Sequence, residues 1–186
     1  MSDIVILAIS GSLRAASYNT AVLKAACALA SAGISVVLEQ GIGTLPLFNP
    51  DLDNAGLAGV DAWRARIDAA DALLIASPEY AHGVTGVIKN ALDWAVSMAS
   101  FPGKPVALIN TSPRATVAQA SLREILTTMS ASLVEAASIS LPLQGSGLAL
   151  DGILARPEMC AGLAAALDAL AQAARDATAQ AARERV

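Results

Sequence analysis

Residues Ser10-Gly11-Ser12-Leu13-Arg14-Ala15-Ala16-Ser17-Tyr18-Asn19-Thr20 gather hydroxyls, an amide and a guanidinium directly behind a short apolar run. Ser12, Ser17, Asn19 and Thr20 offer side-chain hydrogen bonds and Arg14 offers charge, with Leu13 and Tyr18 interleaved. Where a buried strand passes into a helix, the free N–H groups and positive dipole end of that helix favour an anion such as a phosphate. Gly11 is the lone glycine of this stretch, so the loop is not G-x-G-x-x-G, and no Gly-Lys-Ser/Thr follows as in a triphosphate loop. A terminal monophosphate cupped by hydroxyls fits better. Ordinary helix capping accounts for one or two of these residues, but not for all of them together with an arginine.

A second polar stretch reads Ser77-Pro78-Glu79-Tyr80-Ala81-His82-Gly83-Val84-Thr85-Gly86. Pro78 stiffens a strand exit, and the two glycines allow backbone to approach a ligand closely. A flat aromatic ligand fits along it, with Tyr80 at the edge and backbone groups of Glu79 to Ala81 on a polar rim. His82 is the single histidine of the chain and is expected to be exposed. No catalytic side chain is assigned in this stretch. Lys89 and Asp93 stand four apart on a helical pattern and suit a surface ion pair, and Trp94 suits a core or subunit contact. A third loop, Asn110-Thr111-Ser112-Pro113-Arg114-Ala115-Thr116, brings Ser112 toward the same place; a plain polar turn with Thr116 as N-cap explains it equally well.

These loops need elements to hold them. Ile4 to Ile9, Ile34 to Leu38, Ala72 to Ala76 and Val106 to Asn110 are short apolar runs that read as buried strands, and Leu133 to Ser140 holds a weak final one. Helical patterns lie between them: Asn19 to Ala32 ending at Gly33, Leu57 to Ala70, a segment after Gly86 through about Ala99, Thr116 to Met129, and an Ala-rich stretch from Pro157 to about Arg183. Alternating strands and helices predict a doubly wound α/β sandwich, a parallel sheet with helices on both faces. Five strands favour the flavodoxin-like order 2-1-3-4-5, with the ligand crevice between strands one and three. Residues 1–186 read as a single domain, the last few of them, 181–186, frayed.

The net charge of −4 and the absence of a basic run argue against nucleic acid or an anionic membrane as a partner. Cys27 and Cys160 read as buried thiols, and with one histidine and no C-x-x-C no metal site is expected. Met1-Ser2-Asp3 carries no positive n-region, and no apolar run is long enough to span a membrane, so the cytoplasm is the expected location.

The run Gly-Ser-Leu-Arg-x-x-Ser-x-Asn at Gly11 to Asn19 resembles the phosphate loop of the NADPH-dependent FMN reductase family, which includes quinone, chromate and azoreductase-like enzymes. The run Pro-Glu-Tyr-x-x-Gly-x-x-Gly-x-x-Lys-Asn-x-x-Asp-Trp at Pro78 to Trp94 is similar to that family's second signature. The resemblance implies bound FMN, its phosphate on Ser12, Arg14, Ser17, Asn19 and Thr20 in the Leu13- and Tyr18-containing loop, and its ring against Pro78, Glu79, Tyr80 and Ala81 with Ser112 nearby. It implies NADPH or NADH as electron donor, a small-molecule electron acceptor, and a homodimer or homotetramer with the Lys89 to Trp94 helix near the interface. The alternative is an electron carrier or flavin-binding sensor without turnover. In one place the chain departs from the family: Pro113-Arg114-Ala115 stands where many relatives have a glycine-rich loop, and the resemblance leaves open whether Arg114 narrows the site or meets the extra phosphate of NADPH.

Overall fold

Strand β1 (Ile4–Ser10) is an interior strand of the sheet, and its side chains alternate between two buried faces. Its parallel neighbours are β2 (Ile34–Leu38) and β3 (Ala72–Ala76), and β4 (Pro105–Asn110) follows β3. Two short strands, β5 (Ser132–Leu133) and β6 (Ile139–Ser140), pair with β4. The order β2-β1-β3-β4-β5 is the flavodoxin-like one expected from the sequence. This computed structural model describes residues 3–183.

Ile6, Ala8, Leu74 and Ile109 face helices α1 (Tyr18–Leu29), α5 (Leu150–Leu154) and α6 (Pro157–Arg183). Leu7, Ile9, Leu73, Ile75 and Leu108 face α2 (Ala58–Ala69), α3 (Gly86–Asp93) and α4 (Thr116–Thr128). One strand residue thus serves one layer and its neighbour the other, as the period of two requires. Trp63 and Trp94, both fully buried, fill the second layer.

Several boundaries differ from the sequence reading. The helix expected through Ala32 ends at Leu29, because residues 31–33 must turn: Ile34 N donates to Ser31 O at 3.1 Å, and Ile4 N to Gly33 O at 2.9 Å. The helix expected through about Ala99 ends at Asp93. Beyond it, Ala95 and Val96 donate to Leu92 and Asp93 in tighter turns, and the Trp94 indole N–H donates to Pro46 O at 2.8 Å. The single weak strand expected over Leu133 to Ser140 is two strands parted by a 3₁₀ turn at Glu135–Ala137. Ser138 explains the break, since its Oγ accepts from Leu108 N at 3.1 Å and donates to Val134 O at 3.0 Å. A side chain there replaces a ladder bond. Helix α5 was not expected.

Cys27 and Cys160 are free and half-buried rather than fully buried; burial raises the Cys27 thiol pKa. Residues 181–183 are helical, and the rest of the expected frayed end, 184–186, lies outside the described residues, as do Met1 and Ser2. Among the described residues no helix is long and apolar enough to cross a membrane.

Candidate functional site

The order of the sheet reverses between β1 and β3, so the loops that leave β1, β3 and β4 meet at one carboxyl edge. Gly11 shows how tightly they meet. Its N–H donates to Ala76 O at 2.8 Å, and Thr85 Oγ1 donates to its carbonyl at 2.8 Å. A Cβ at Gly11 would stand 2.2 Å from Ser77 Oγ and 2.6 Å from Ser77 Cβ, so the close approach needs glycine.

Between these loops lies a cleft of about 310 Å³. Of the residues singled out in the sequence, Ser12, Arg14, Ser17, Tyr18, Asn19, Pro78, Glu79, Tyr80 and Ser112 line it. Leu13, Thr20 and Ala81 are not among the lining residues. Leu13 is 67% exposed and leans over Gly43. Thr20 is tied inward, its Oγ1 2.8 Å from Ser10 Oγ, and it lines neighbouring hollows instead. Ala81 sits in a tight turn: Tyr80 and Gly83 exchange backbone hydrogen bonds, while Ala81 and His82 take φ of 50° and 55°. That is the type I′ geometry, held here by two residues with side chains rather than by glycine, and it carries strain. The glycines at 83 and 86 do not take the left-handed conformation.

At one end of the cleft, α1 begins. Ser17 is its N-cap, accepting from Thr20 N at 3.2 Å, so its hydroxyl proton remains for a ligand. Asn19 is 5% exposed; its Oδ1 accepts from Thr111 Oγ1 at 3.0 Å, and its Nδ2 makes no hydrogen bond among the described residues. The Arg14 guanidinium is likewise unpaired there, its backbone N–H alone being bonded, to Ser12 Oγ. Free amide, hydroxyl, guanidinium and helix-end N–H groups converge, which is what an anionic oxygen cluster requires.

At the other end, Glu79 is the one carboxylate lining the cleft, and it is already engaged. Its Oε2 accepts from Ala118 N at 2.8 Å, and its Oε1 lies 3.2 Å from His82 Nδ1. It therefore caps α4 from a different loop. Thr116, expected as that N-cap, is instead the first helical residue, and Ala115 at the cap position makes no side-chain bond. His82 is 82% exposed in its side chain and does not line the cleft. Lys89 and Asp93 form the expected pair at 2.6 Å.

Three lining residues were not singled out in the sequence, Thr111, Ala115 and Gln144, and a fourth, Arg114, was noted there without a settled role. The polar end of β4 signals Thr111. Nothing in the local pattern signals Gln144, which arrives from a later loop to accept a hydrogen bond from Ser112 Oγ. That loop is held by Leu143 N to Thr111 O at 2.9 Å and by Gly147 N to the Tyr18 hydroxyl at 3.2 Å.

Residues 4–145 match the profile of the family described as NADPH-dependent FMN reductase. An NAD(P)H-dependent FMN reductase from Pseudomonas aeruginosa is 46% identical over 113 residues, 59% of this chain and 60% of that protein. A 2-hydroxy-1,4-benzoquinone reductase from a Burkholderia species is 39% identical over 126 residues, 64% of this chain and 68% of that protein. The chain thus spans less than two thirds of the Pseudomonas relative it matches. Among solved structures, a flavoenzyme NAD(P)H:(acceptor) oxidoreductase from Paracoccus denitrificans superposes with a TM-score of 0.81 at 31% identity, over 93% of this chain and 98% of that one.

Proposed function

The chain belongs to the NADPH-dependent FMN reductase family, and on that premise we propose that it binds FMN in this cleft and uses NADPH or NADH to reduce a small acceptor. The observation that carries the reading is the cleft's two-ended design, an anion cradle at α1 joined to a groove bounded by Pro78, Tyr80 and Ser112. FMN fits on two counts. The Nδ2 of Asn19, unpartnered among the described residues and open to the cleft, offers a donor to an acceptor oxygen, and about 310 Å³ lies within the range of small-ligand clefts.

Ser12, Arg14, Ser17 and Asn19, with the N–H groups opening α1, would hold the phosphate; Leu13, Tyr18 and Thr20 shape that loop. Pro78, Glu79 and Tyr80, with Ser112, would bound the ring, and Ala81 shapes the turn beside them. Bound FMN supplies hydride acceptance from the nicotinamide and delivery to the acceptor. The protein's part is orientation: the Gly11 contact, the Glu79 cap and the Ser112–Gln144 bond lock the three loops. No cleft-lining residue is a histidine, and the open mouth leaves the acceptor's protons to water. Quinones, chromate, azo compounds and free flavin suit such a mouth.

We infer a cytoplasmic homodimer or homotetramer. Leu47 and Val96, 84% and 62% exposed, lie on segments joined by the Trp94–Pro46 and Ser97–Asp53 hydrogen bonds, and these exposed apolar side chains support a subunit contact on that side. Sedimentation of Leu47→Asp against wild type checks it, dissociation being expected.

The test of the main reading is a visible spectrum after adding FMN and desalting, followed by NADPH without oxygen. A retained flavin band that bleaches supports the reading. A retained band that persists with both NADPH and NADH makes the chain a carrier or sensor. An FMN titration that does not saturate removes the cofactor assignment.

A further inference from the structure

Two guanidiniums line the cleft, and the proposed cofactor uses one of them. Arg14 belongs to the α1 end, while Arg114 belongs to the wall built by the loop after β4, between Ser112 and Ala115. Its backbone N–H is bonded to Ser112 Oγ at 3.3 Å, but its guanidinium has no partner among the described residues. Arg64, Arg66 and Arg123 are each paired, with Asp53, Glu39 and Glu135. The one acid on the cleft, Glu79, is occupied by Ala118 N and His82 and does not neutralise Arg114. The start of α4, at Thr116, adds positive potential on the same side. A mononucleotide carries one phosphate, and the Arg14 end accounts for it. A second unpaired cation on the same cleft is matched to a second anion, on the molecule that comes and goes.

We propose that Arg114 is a specificity-determining residue that binds an anionic oxygen group of the exchanging substrate; this rests on the flavin reading above. A guanidinium grips such groups through paired N–H donors, which a compact ammonium does not reproduce. The group has two sources: the extra 2′-phosphate that separates NADPH from NADH, or the ionised oxygen of an acidic acceptor such as a hydroxyquinone.

The experiment compares wild type, Arg114→Ala and Arg114→Lys in FMN-loaded protein. One arm sets NADPH against NADH with a neutral quinone as acceptor. The other sets 2-hydroxy-1,4-benzoquinone against 1,4-benzoquinone with the better donor. Arg114→Ala is expected to lower kcat/KM for the member of one pair that carries the additional anionic oxygen group about tenfold to a hundredfold, equivalent to about 1.4–2.8 kcal/mol, and to leave the member that lacks this group nearly unchanged. Arg114→Lys should recover part of the loss, and salt should shrink the wild-type advantage. The arm that responds names the source. Equal losses in all four substrates, or a shifted flavin midpoint potential with unchanged substrate ratios, would overturn the proposal, because Arg114 would then act on the fold or the flavin. Unchanged ratios in both arms overturn it as well. Calorimetric titration with NADP⁺ and NAD⁺ reads the donor arm even in protein without flavin, so failure of the parent reading is distinguishable.

Discussion

Replacing Glu79 with alanine strips two loops of their shared anchor. In the native chain its carboxylate accepts from Ala118 N at 2.8 Å and pairs with His82 at 3.2 Å, with 12% of the Glu79 side chain exposed. Helix α4 has no side-chain cap of its own, so loss of Glu79 leaves an N-terminal donor open. Losing a cap costs about 1 kcal/mol, and losing a negative charge from a helix N-terminus about 0.3–1 kcal/mol more. His82 is mostly exposed, so its pairing adds little. The total, about 1.5 kcal/mol, corresponds to a fall in Tm of about 3–6 °C for a chain of this size. Glu79→Gln keeps an acceptor oxygen and loses the charge alone, so its fall should be about 1–2 °C. Differential scanning calorimetry of the flavin-free protein at pH 7 measures both. If Glu79→Ala melts with wild type, or if Glu79→Gln falls as far as Glu79→Ala, the capping argument is wrong.

Asn19→Ala should weaken FMN binding by about 1.5–3 kcal/mol, or roughly tenfold to a hundredfold, since it removes a bond to a charged oxygen; fluorescence titration with FMN checks this, and an unchanged Kd removes Asn19 from the phosphate cradle. His82→Ala should keep most turnover, because its side chain stands outside the cleft. A fall beyond about a hundredfold with FMN still bound would reveal a proton donor there. Asp53 has its pKa lowered by hydrogen bonds from Arg64 and then Ser97, helped by the Arg64 charge. A carboxyl with a depressed folded pKa stabilises above its unfolded pKa, near 3.9, and that contribution is lost as pH falls through the folded value. The Tm gap between wild type and Asp53→Asn should therefore be full at pH 6 and close below about pH 4. A gap that is independent of pH would mean that the charge plays no part.

Local pattern was enough to read the sheet. The β-branched runs at Ile4 and Ile34, the all-buried Ala72 to Ala76 and the intervening helical periods carry the strand order, because each strand must feed both layers. The same logic puts the three polar loops at one edge. Ser12, Arg14, Ser17 and Asn19 were legible because a strand-to-helix turn exposes helix N–H groups wherever it occurs. Tertiary structure decided the rest through contacts between distant residues. Asn19 is aimed by Thr111, Glu79 caps a helix that begins beyond Ala115, and Gln144 comes in from a later loop to Ser112. The early end of α3 depends on Pro46 accepting from the Trp94 indole. The left-handed turn falls on Ala81 and His82, not on the nearby glycines, since bonds between Tyr80 and Gly83 outweigh the local preference of the chain. Periodicity and dipoles act within one element and so can be read along the chain; a hydrogen bond between loops exists only once the elements that carry them have packed.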